Sequence, residues 1–432
     1  MYFSILLVLC LSFVQSSLQQ SFQDILSSTK NLSSFSDALT KYNPDLLTQI
    51  GSSSSPITIL APSNAAFAKT IYYPVIGPAF SHDDIGAIKA ILDYHVVVGN
   101  HSSSSLLPTF QYFPTWLTNS SFTNVTDGQR VGGVMQGGTE MFWVSGQSNR
   151  SPVITTDISF EGGTVHIIDS LLIPPSSFPA TSELFSTAAE PYQLTSFLGA
   201  IYYPSNSNTT SPTSATLLNT TSDVTIFAPN NVAMESVASA LMSISNTSDF
   251  EALLQYHIIV AKGGPWYSTD FTENGTVLES ITGGSLTISF SSNSWFINSA
   301  RLLTSDLLLA NGVMHVIDNV LSPSETTAKP NPSLATQVPV LSTAGSFNIS
   351  AAPFTTFLPN TINTNAPTST AGGDSYGGGP GATTTGNSAA TATATKGGAG
   401  KIAVDGRGWL GMSSLMGVVV LGAAAGMGMI LI

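Results

Sequence analysis

The chain has one cysteine, Cys10, among its 432 residues. It lies in the uncharged apolar run at 2–14, and removal of that run leaves no thiol, which excludes disulfides, thiolate metal sites and cysteine nucleophiles together. Charge is scarce as well: Asp, Glu, Lys and Arg make up 9% of the chain, against about a quarter in an ordinary soluble protein. A surface so poor in charge needs another source of solvation. Basic residues are the scarcest, with 12 Lys plus Arg facing 25 Asp plus Glu for a net charge of −13. That balance argues against a groove that tracks a phosphate backbone, so nucleic acid is not an expected partner. No H-E-x-x-H helix and no G-x-x-x-x-G-K-[ST] loop is present, so neither a metal nor a nucleotide cofactor is expected.

The two ends of the chain are apolar. Residues 2–14, YFSILLVLCLSFV, are too short to span a bilayer comfortably and run into Gln15, Ser16 and Ser17. They read as a signal peptide (residues 1–17) cleaved after Ser16 or Ser17. Residues 409–432 carry no charge, follow a short polar spacer at 401–408, and are preceded by the small residues Gly397, Gly398, Ala399 and Gly400. That order is the one a glycosylphosphatidylinositol signal requires, with attachment expected near Gly398 and the signal occupying 401–432. A plain C-terminal membrane helix is the alternative. Between 325 and 400 the chain becomes Thr, Ser, Ala, Gly and Pro, a composition expected to give a disordered stalk open to O-glycosylation. Ten N-x-[ST] sequons supply the missing solvation: Asn31, Asn100, Asn119, Asn124, Asn149, Asn208, Asn219, Asn246, Asn274 and Asn348.

The region between is duplicated. ITILAPSNAAF (57–67) returns as VTIFAPNNVAM (224–234), ILDYHVVVG (91–99) as LLQYHIIVA (253–261), and GGTVHIIDSLLIP (162–174) as ANGVMHVIDNVLSP (310–323). The first block is β-branched and apolar and ends at Ala-Pro, which predicts a strand entering a turn. There Asn64 and Asn231 are placed to bind local backbone groups. Ile85, Ile88 and Leu92 follow a helical period behind Asp83 and Asp84, and Ser248 with Glu251 spells a capping box. A helix therefore leads into each Tyr-His pair and then into a strand. The third block reads as a buried strand near the end of each half.

The blocks T-I-[LF]-A-P-x-N, Y-H and H-[IV]-I-D resemble the hallmark segments of the fasciclin domain family, over about 20–175 and 178–324. With the two terminal signals and the stalk, the chain resembles fungal lipid-anchored fasciclin-like surface glycoproteins. The resemblance implies an α+β fold of two tandem domains, at 18–175 and 176–324, each a wedge of β-strands with several helices at one side. It also implies, from some animal members, a contact surface around Tyr94-His95 and Tyr256-His257. Apolar neighbours favour the other reading of those pairs, in which each ends a helix and fixes a strand through buried hydrogen bonds. Asn64, Asn231, His166, His315, Asp169 and Asp318 are read as structural members of the motif. Serine is so abundant that choosing a Ser-His-Asp set has no meaning without geometry, and no catalytic residue is expected. The expected function is noncatalytic adhesion at the outer cell surface, to cell, matrix or wall glycans or proteins, with homophilic contact included. The alternatives are a wall spacer without a receptor and, last, an extracellular hydrolase.

Overall fold

A computed structural model describes residues 20–188, 191–203, 213–273, 275–341 and 352–359. The signal peptide, the glycosylphosphatidylinositol signal with Gly398, and the expected stalk from 360 onward lie outside these residues. Among the described residues no helix is long and apolar enough to cross a membrane.

In the first half, helices α1 (Phe22–Ser28), α2 (Ser33–Tyr42) and α3 (Pro44–Gly51) precede strand β1 (Ile57–Pro62). Then come α4 (Asn64–Ala68), α5 (Gly77–Ser81), α6 (Ile85–Tyr94) and six strands: β2 (Val96–Val98), β3 (Gln111–Pro114), β4 (Arg130–Gln136), β5 (Glu140–Val144), β6 (Arg150–Phe160) and β7 (Gly163–Ile168). They form one sheet in the order β2-β1-β7-β6-β5-β4-β3. The second half repeats the plan. Its helices are α7 (Phe178–Leu184), α8 (Thr195–Tyr202), α9 (Ser214–Thr220), α10 (Asn231–Ser236), α11 (Ala238–Ser243) and α12 (Thr247–Gln255). Its strands are β8 (Val224–Pro229), β9 (Ile258–Val260), β10 (Thr276–Glu279), β11 (Ser285–Ser291), β12 (Ser294–Ile297), β13 (Ala300–Leu309) and β14 (Gly312–Ile317), ordered β10-β11-β12-β13-β14-β8-β9. Read from the opposite edge, that order maps strand for strand onto the first sheet.

Both recurring strand blocks lie at the centre of their sheets. β1 pairs in parallel with β7, and β8 with β14, while the other neighbours are antiparallel. Central parallel strands are covered on both faces, so every residue of β1 and of β8 is buried and the sequence runs apolar instead of alternating. Ile57, Ile59 and Ala61 face a helical core with Phe35, Leu39 and Ile88. Leu60 joins Tyr94, Val97 and Trp143 on the other side. The parallel pairing needs one close approach: a Cβ on Gly163 would lie 1.8 Å from the Ile57 carbonyl oxygen, and one on Gly312 1.9 Å from that of Val224. Only glycine fits at either place.

The halves belong to one compact unit and meet along a polar seam. The Asn124 N–H donates to the Ala310 carbonyl at 2.7 Å, and the buried Gln129 amide reaches the Leu309 carbonyl at 3.1 Å. The Thr126 N–H and hydroxyl both donate to the Asp223 carboxylate, at 2.8 and 2.6 Å. Tyr112 stacks on Tyr267 with ring centres 4.7 Å apart.

Two expectations need correction. The segment read as stalk from 325 is in part packed structure. Gln337 donates its N–H to Asp318, Arg301 reaches the carbonyls of Pro332 and Leu334, and Phe354 is buried in the second core with its backbone against Gly199. Leu341, Phe354 and Leu358 supply the apolar groups that the average composition of 325–400 hides. The Ser248–Glu251 capping box does not form: α12 begins two residues earlier than that box requires, at Thr247 with Asn246 as its cap, and the Glu251 carboxylate accepts from the N–H and hydroxyl of Ser214 on α9.

Candidate functional site

The Tyr-His pairs stand where α6 and α12 stop and the next strand begins, and all four side chains are fully buried. His95 Nδ1 lies 2.7 Å from the Ile91 carbonyl one turn back, and its Nε2 accepts the Leu172 N–H at 3.0 Å. His257 does the same with the Leu253 carbonyl at 3.0 Å and the Leu321 N–H at 2.9 Å. A carbonyl only accepts and an amide N–H only donates, so each ring is the neutral tautomer with its proton on Nδ1. Burial pushes both imidazoles down to about 4 from 6.5. The Tyr94 hydroxyl donates to the Arg130 carbonyl and that of Tyr256 to the Ser285 carbonyl, each at 2.7 Å. Each pair thus ties a helix end to the far strands of its own sheet. Having no exposed surface, these side chains offer a partner nothing directly.

His166 and His315 form a second repeated cluster, whose other members sequence reasoning missed. Their Nε2 atoms donate to the carbonyls of His101 and Trp266, at 2.7 and 2.9 Å. Their Nδ1 atoms accept the N–H of Asp157 and Asp306, both at 3.2 Å. Asp157 and Asp306 occupy irregularities in β6 and β13 with φ of 61° and 62°. Their carboxylates take the N–H and hydroxyl of Ser103 and Ser268. Serine, aspartate and histidine therefore meet twice, but in the wrong order for a nucleophile. The hydroxyl donates to the carboxylate, and the imidazole, its Nδ1 taken by a backbone N–H, stays away from the hydroxyl. His315 Nδ1 is 4.0 Å from the Asp306 carboxylate, yet burial holds that ring below its ordinary pKa, so the contact is not an ion pair. No G-x-S-x-G elbow was expected from the sequence; that spelling does occur once, at 373–377, and lies outside the described residues. The signal that could have found the cluster is the pair of aspartates nine residues ahead of each repeated histidine.

The motif asparagines act at longer range than the local turn expected of them. Asn64 Oδ1 accepts the Ser34 N–H at 2.9 Å and its Nδ2 donates to the Lys30 carbonyl at 3.0 Å. Asn231 accepts the Ser196 N–H at 2.9 Å and donates to Thr195. The local caps are the preceding residues, Ser63 and Asn230. Asp169 and Asp318 diverge. Asp169 pairs with Lys69 at 2.8 Å, half exposed, whereas the buried Asp318 accepts the backbone N–H groups of Arg301 and Gln337.

Among the sequons, Asn31, Asn100, Asn119, Asn219 and Asn246 are exposed. Asn124 and Asn149 are half-buried, with amides on the carbonyls of Thr220 and Leu171. Asn208, Asn274 and Asn348 lie outside the described residues. Among those residues no three His, Cys, Asp or Glu side chains converge as metal ligands would.

One concave feature carries convergent polar groups. An open cleft of about 520 Å³ lies beside α6, lined by Asn43, Asp45, Gln49, Lys89, Asp93 and Trp116 among others. Asn43 donates to the Asp93 carboxylate at 2.8 Å, and burial pushes that carboxyl up to about 6 against the opposing effects of Asn43 and Lys89.

The fasciclin domain model matches this chain twice, over residues 30–174 and 206–323. A fasciclin-like arabinogalactan protein of Arthroderma benhamiae is 32% identical over 344 residues, covering 79% of this chain and 75% of that one. The fasciclin-like arabinogalactan protein elcF of Phaeosphaeria nodorum is 25% identical over 268 residues, 61% of this chain and 77% of that one. A solved FAS1 domain pair from the insect cell adhesion molecule fasciclin I aligns with 69% of this chain and 98% of its own length, at 19% identity and a TM-score of 0.33.

Proposed function

This chain belongs to the fasciclin domain family, and we propose that it is a noncatalytic adhesion glycoprotein of the outer cell surface. In this reading residues 1–17 direct it into the secretory pathway and a lipid attached near Gly398 holds it at the membrane. The segment from 360 to the anchor spaces the two domains from the bilayer, and the domains bind glycans or proteins of cells, matrix or wall. One contrast carries the reading. The histidines and tyrosines repeated in both halves point inward and are bonded to backbone, whereas the sequons Asn31, Asn100, Asn119, Asn219 and Asn246 lie outward. What the chain presents to its surroundings is therefore a glycan-bearing binding surface. Two domains on one chain, and many chains on one surface, convert modest contacts into firm attachment.

The test begins with intact cells treated with a phosphatidylinositol-specific phospholipase. Release into the medium is expected, and the released protein coated on beads is expected to hold them to cells or to isolated wall. Beads that hold to neither surface refute adhesion and leave the spacer role. Protein retained after lipase, with no inositol lipid found on it, refutes the anchor.

A further inference from the structure

We propose that the cleft beside α6 is a carbohydrate subsite for neutral or amino-bearing sugars, with Asp93 as its central hydrogen-bond acceptor. The proposal rests on the adhesion reading above and names the ligand class of one of its surfaces.

Its volume, about 520 Å³, falls within the range of about 300–1,000 Å³ usual for small-molecule sites, enough for a few sugar rings. The lining has the two ingredients that sugar recognition needs. Trp116 packs against the helical core and also lines the cleft, and beside it stands Val98, 39% exposed on the edge strand β2. An indole held in this way offers an apolar surface to the C–H face of a pyranose ring. The same lining holds Asn43 and Gln49 on the α3 side and Lys89 and Asp93 on α6, which supply donors and acceptors for hydroxyl groups. Asp45, Asp93 and Asp127 outnumber Lys89 among the charged lining residues. That balance favours neutral or amino sugars and opposes uronic or sulfated ones.

The duplication supplies an independent observation. Asp93 in ILDYH aligns with Gln255 in LLQYH, and the helices that carry them end in the same way. The second half thus builds this helix end with a neutral amide, whereas the first half keeps a half-buried carboxylate that accepts from Asn43. Inside the fold the carboxylate holds the amide of the buried Asn43, and it retains further lone pairs able to accept from a ligand. Lys89 from the same helix bears on it directly, and Asp45 from α3 and Asp127 from the loop ahead of β4 are the other charged groups of the lining.

The experiment uses the secreted full-length protein and its Asp93→Asn and Gln49→Ala variants, titrated calorimetrically with four probes. The probes are oligomers of β-1,3-glucose, N-acetylglucosamine, glucosamine and galacturonate. At least one of the first three is expected to bind, with affinity reduced tenfold or more in each variant while the melting temperature of Asp93→Asn stays at or above that of the parent. No binding by any of the first three, binding unchanged in both variants, or binding by the galacturonate oligomer alone overturns the proposal. Adhesion of the coated beads separates it from the broader reading. Beads that adhere equally well with Asp93→Asn, from a parent protein that binds none of the first three oligomers, refute the cleft and leave adhesion standing. Sugar binding lost in that variant, by a protein whose beads never adhere, refutes adhesion and leaves the cleft.

Discussion

Acid should unfold this protein through His95 and His257. Each ring is neutral when folded, with Nδ1–H on the carbonyl one turn back and Nε2 accepting an N–H from Leu172 or Leu321. Protonation places a second proton on Nε2, facing a group that only donates, inside a buried apolar core. The folded value of about 4 against an ordinary 6.5 expresses that cost. The folded form is depressed, so the unfolded chain takes the proton first. Above pH 6.5 the pair contributes nothing to pH dependence, and stability falls as pH drops from 6.5 towards 4. The slope is about 1.4 kcal/mol per pH unit for each ring, so at pH 5 the two together cost about 4 kcal/mol. Asp93 works the other way, because its folded value of about 6 lies above the ordinary 3.8. It returns about 1.4 kcal/mol by pH 5, so these three groups together cost about 3 kcal/mol out of a typical total of about 5–15. Urea unfolding at pH 7, 6 and 5 measures the slope. In His95→Gln and His257→Gln the baseline drops but the acid slope shrinks by about 1.4 kcal/mol per unit in each, with Asp93 cancelling in the comparison. Equal slopes in parent and both variants, or stability rising as pH falls, refute the reasoning.

Four further outcomes are expected. Asp93→Asn removes a carboxylate held ionised at a cost, so at pH 7 it stabilises the protein by up to about 3 kcal/mol, an advantage that shrinks as pH falls from 6 towards 4 in the same urea series. Gly163→Ala drives a methyl group into the Ile57 carbonyl and should cost at least about 3 kcal/mol in chemical denaturation, with Gly312→Ala doing the same to the second sheet. Asp223→Asn keeps a short polar side chain at a φ of 56° but weakens both bonds from Thr126. The loss is about 1–3 kcal/mol, and calorimetry should show one thermal transition separating into two as the halves uncouple. Phe354→Ala should cost about 3–5 kcal/mol and expose the chain near 354 to protease, because that ring belongs to the second core.

Much of this architecture was legible in the residues, and the reason is duplication. A single run such as ITILAP is an apolar stretch that fits a strand or a buried helix segment equally well. Its return as VTIFAP, each time ahead of a Tyr-His pair and an H-[IV]-I-D block, turns three ambiguous runs into one repeated plan. The inward role of Tyr94, His95, Tyr256 and His257 was legible for a related reason, since polar groups among apolar neighbours must find partners. The partners themselves were not legible. Asn64 reaches Lys30 and Ser34, His95 reaches Leu172, and Glu251 abandons a capping box for Ser214. Those choices are made by tertiary approach, and no local pattern records it.

The difference between the halves was least visible, although it bears most on function. Repetition marks what both halves need, and in both the repeated polar groups are spent on folding. Residues that recur without changing are therefore poor guides to what the surface binds. The informative positions are those where one half departs from the other at no evident gain in stability. Asp318 has moved from a surface ion pair like that of Asp169 into a buried anchor for the segment around Gln337, so that departure has a structural use. Asp93 differs. Its alternative, the amide of Gln255, is already accepted by the same fold, and the carboxylate is the less stable choice at neutral pH. A carboxylate kept in the cleft against the cost of its burial, where it also holds the Asn43 amide, has lone pairs left for a ligand, and the use consistent with the indole, the amides and the negative balance is to hold a sugar.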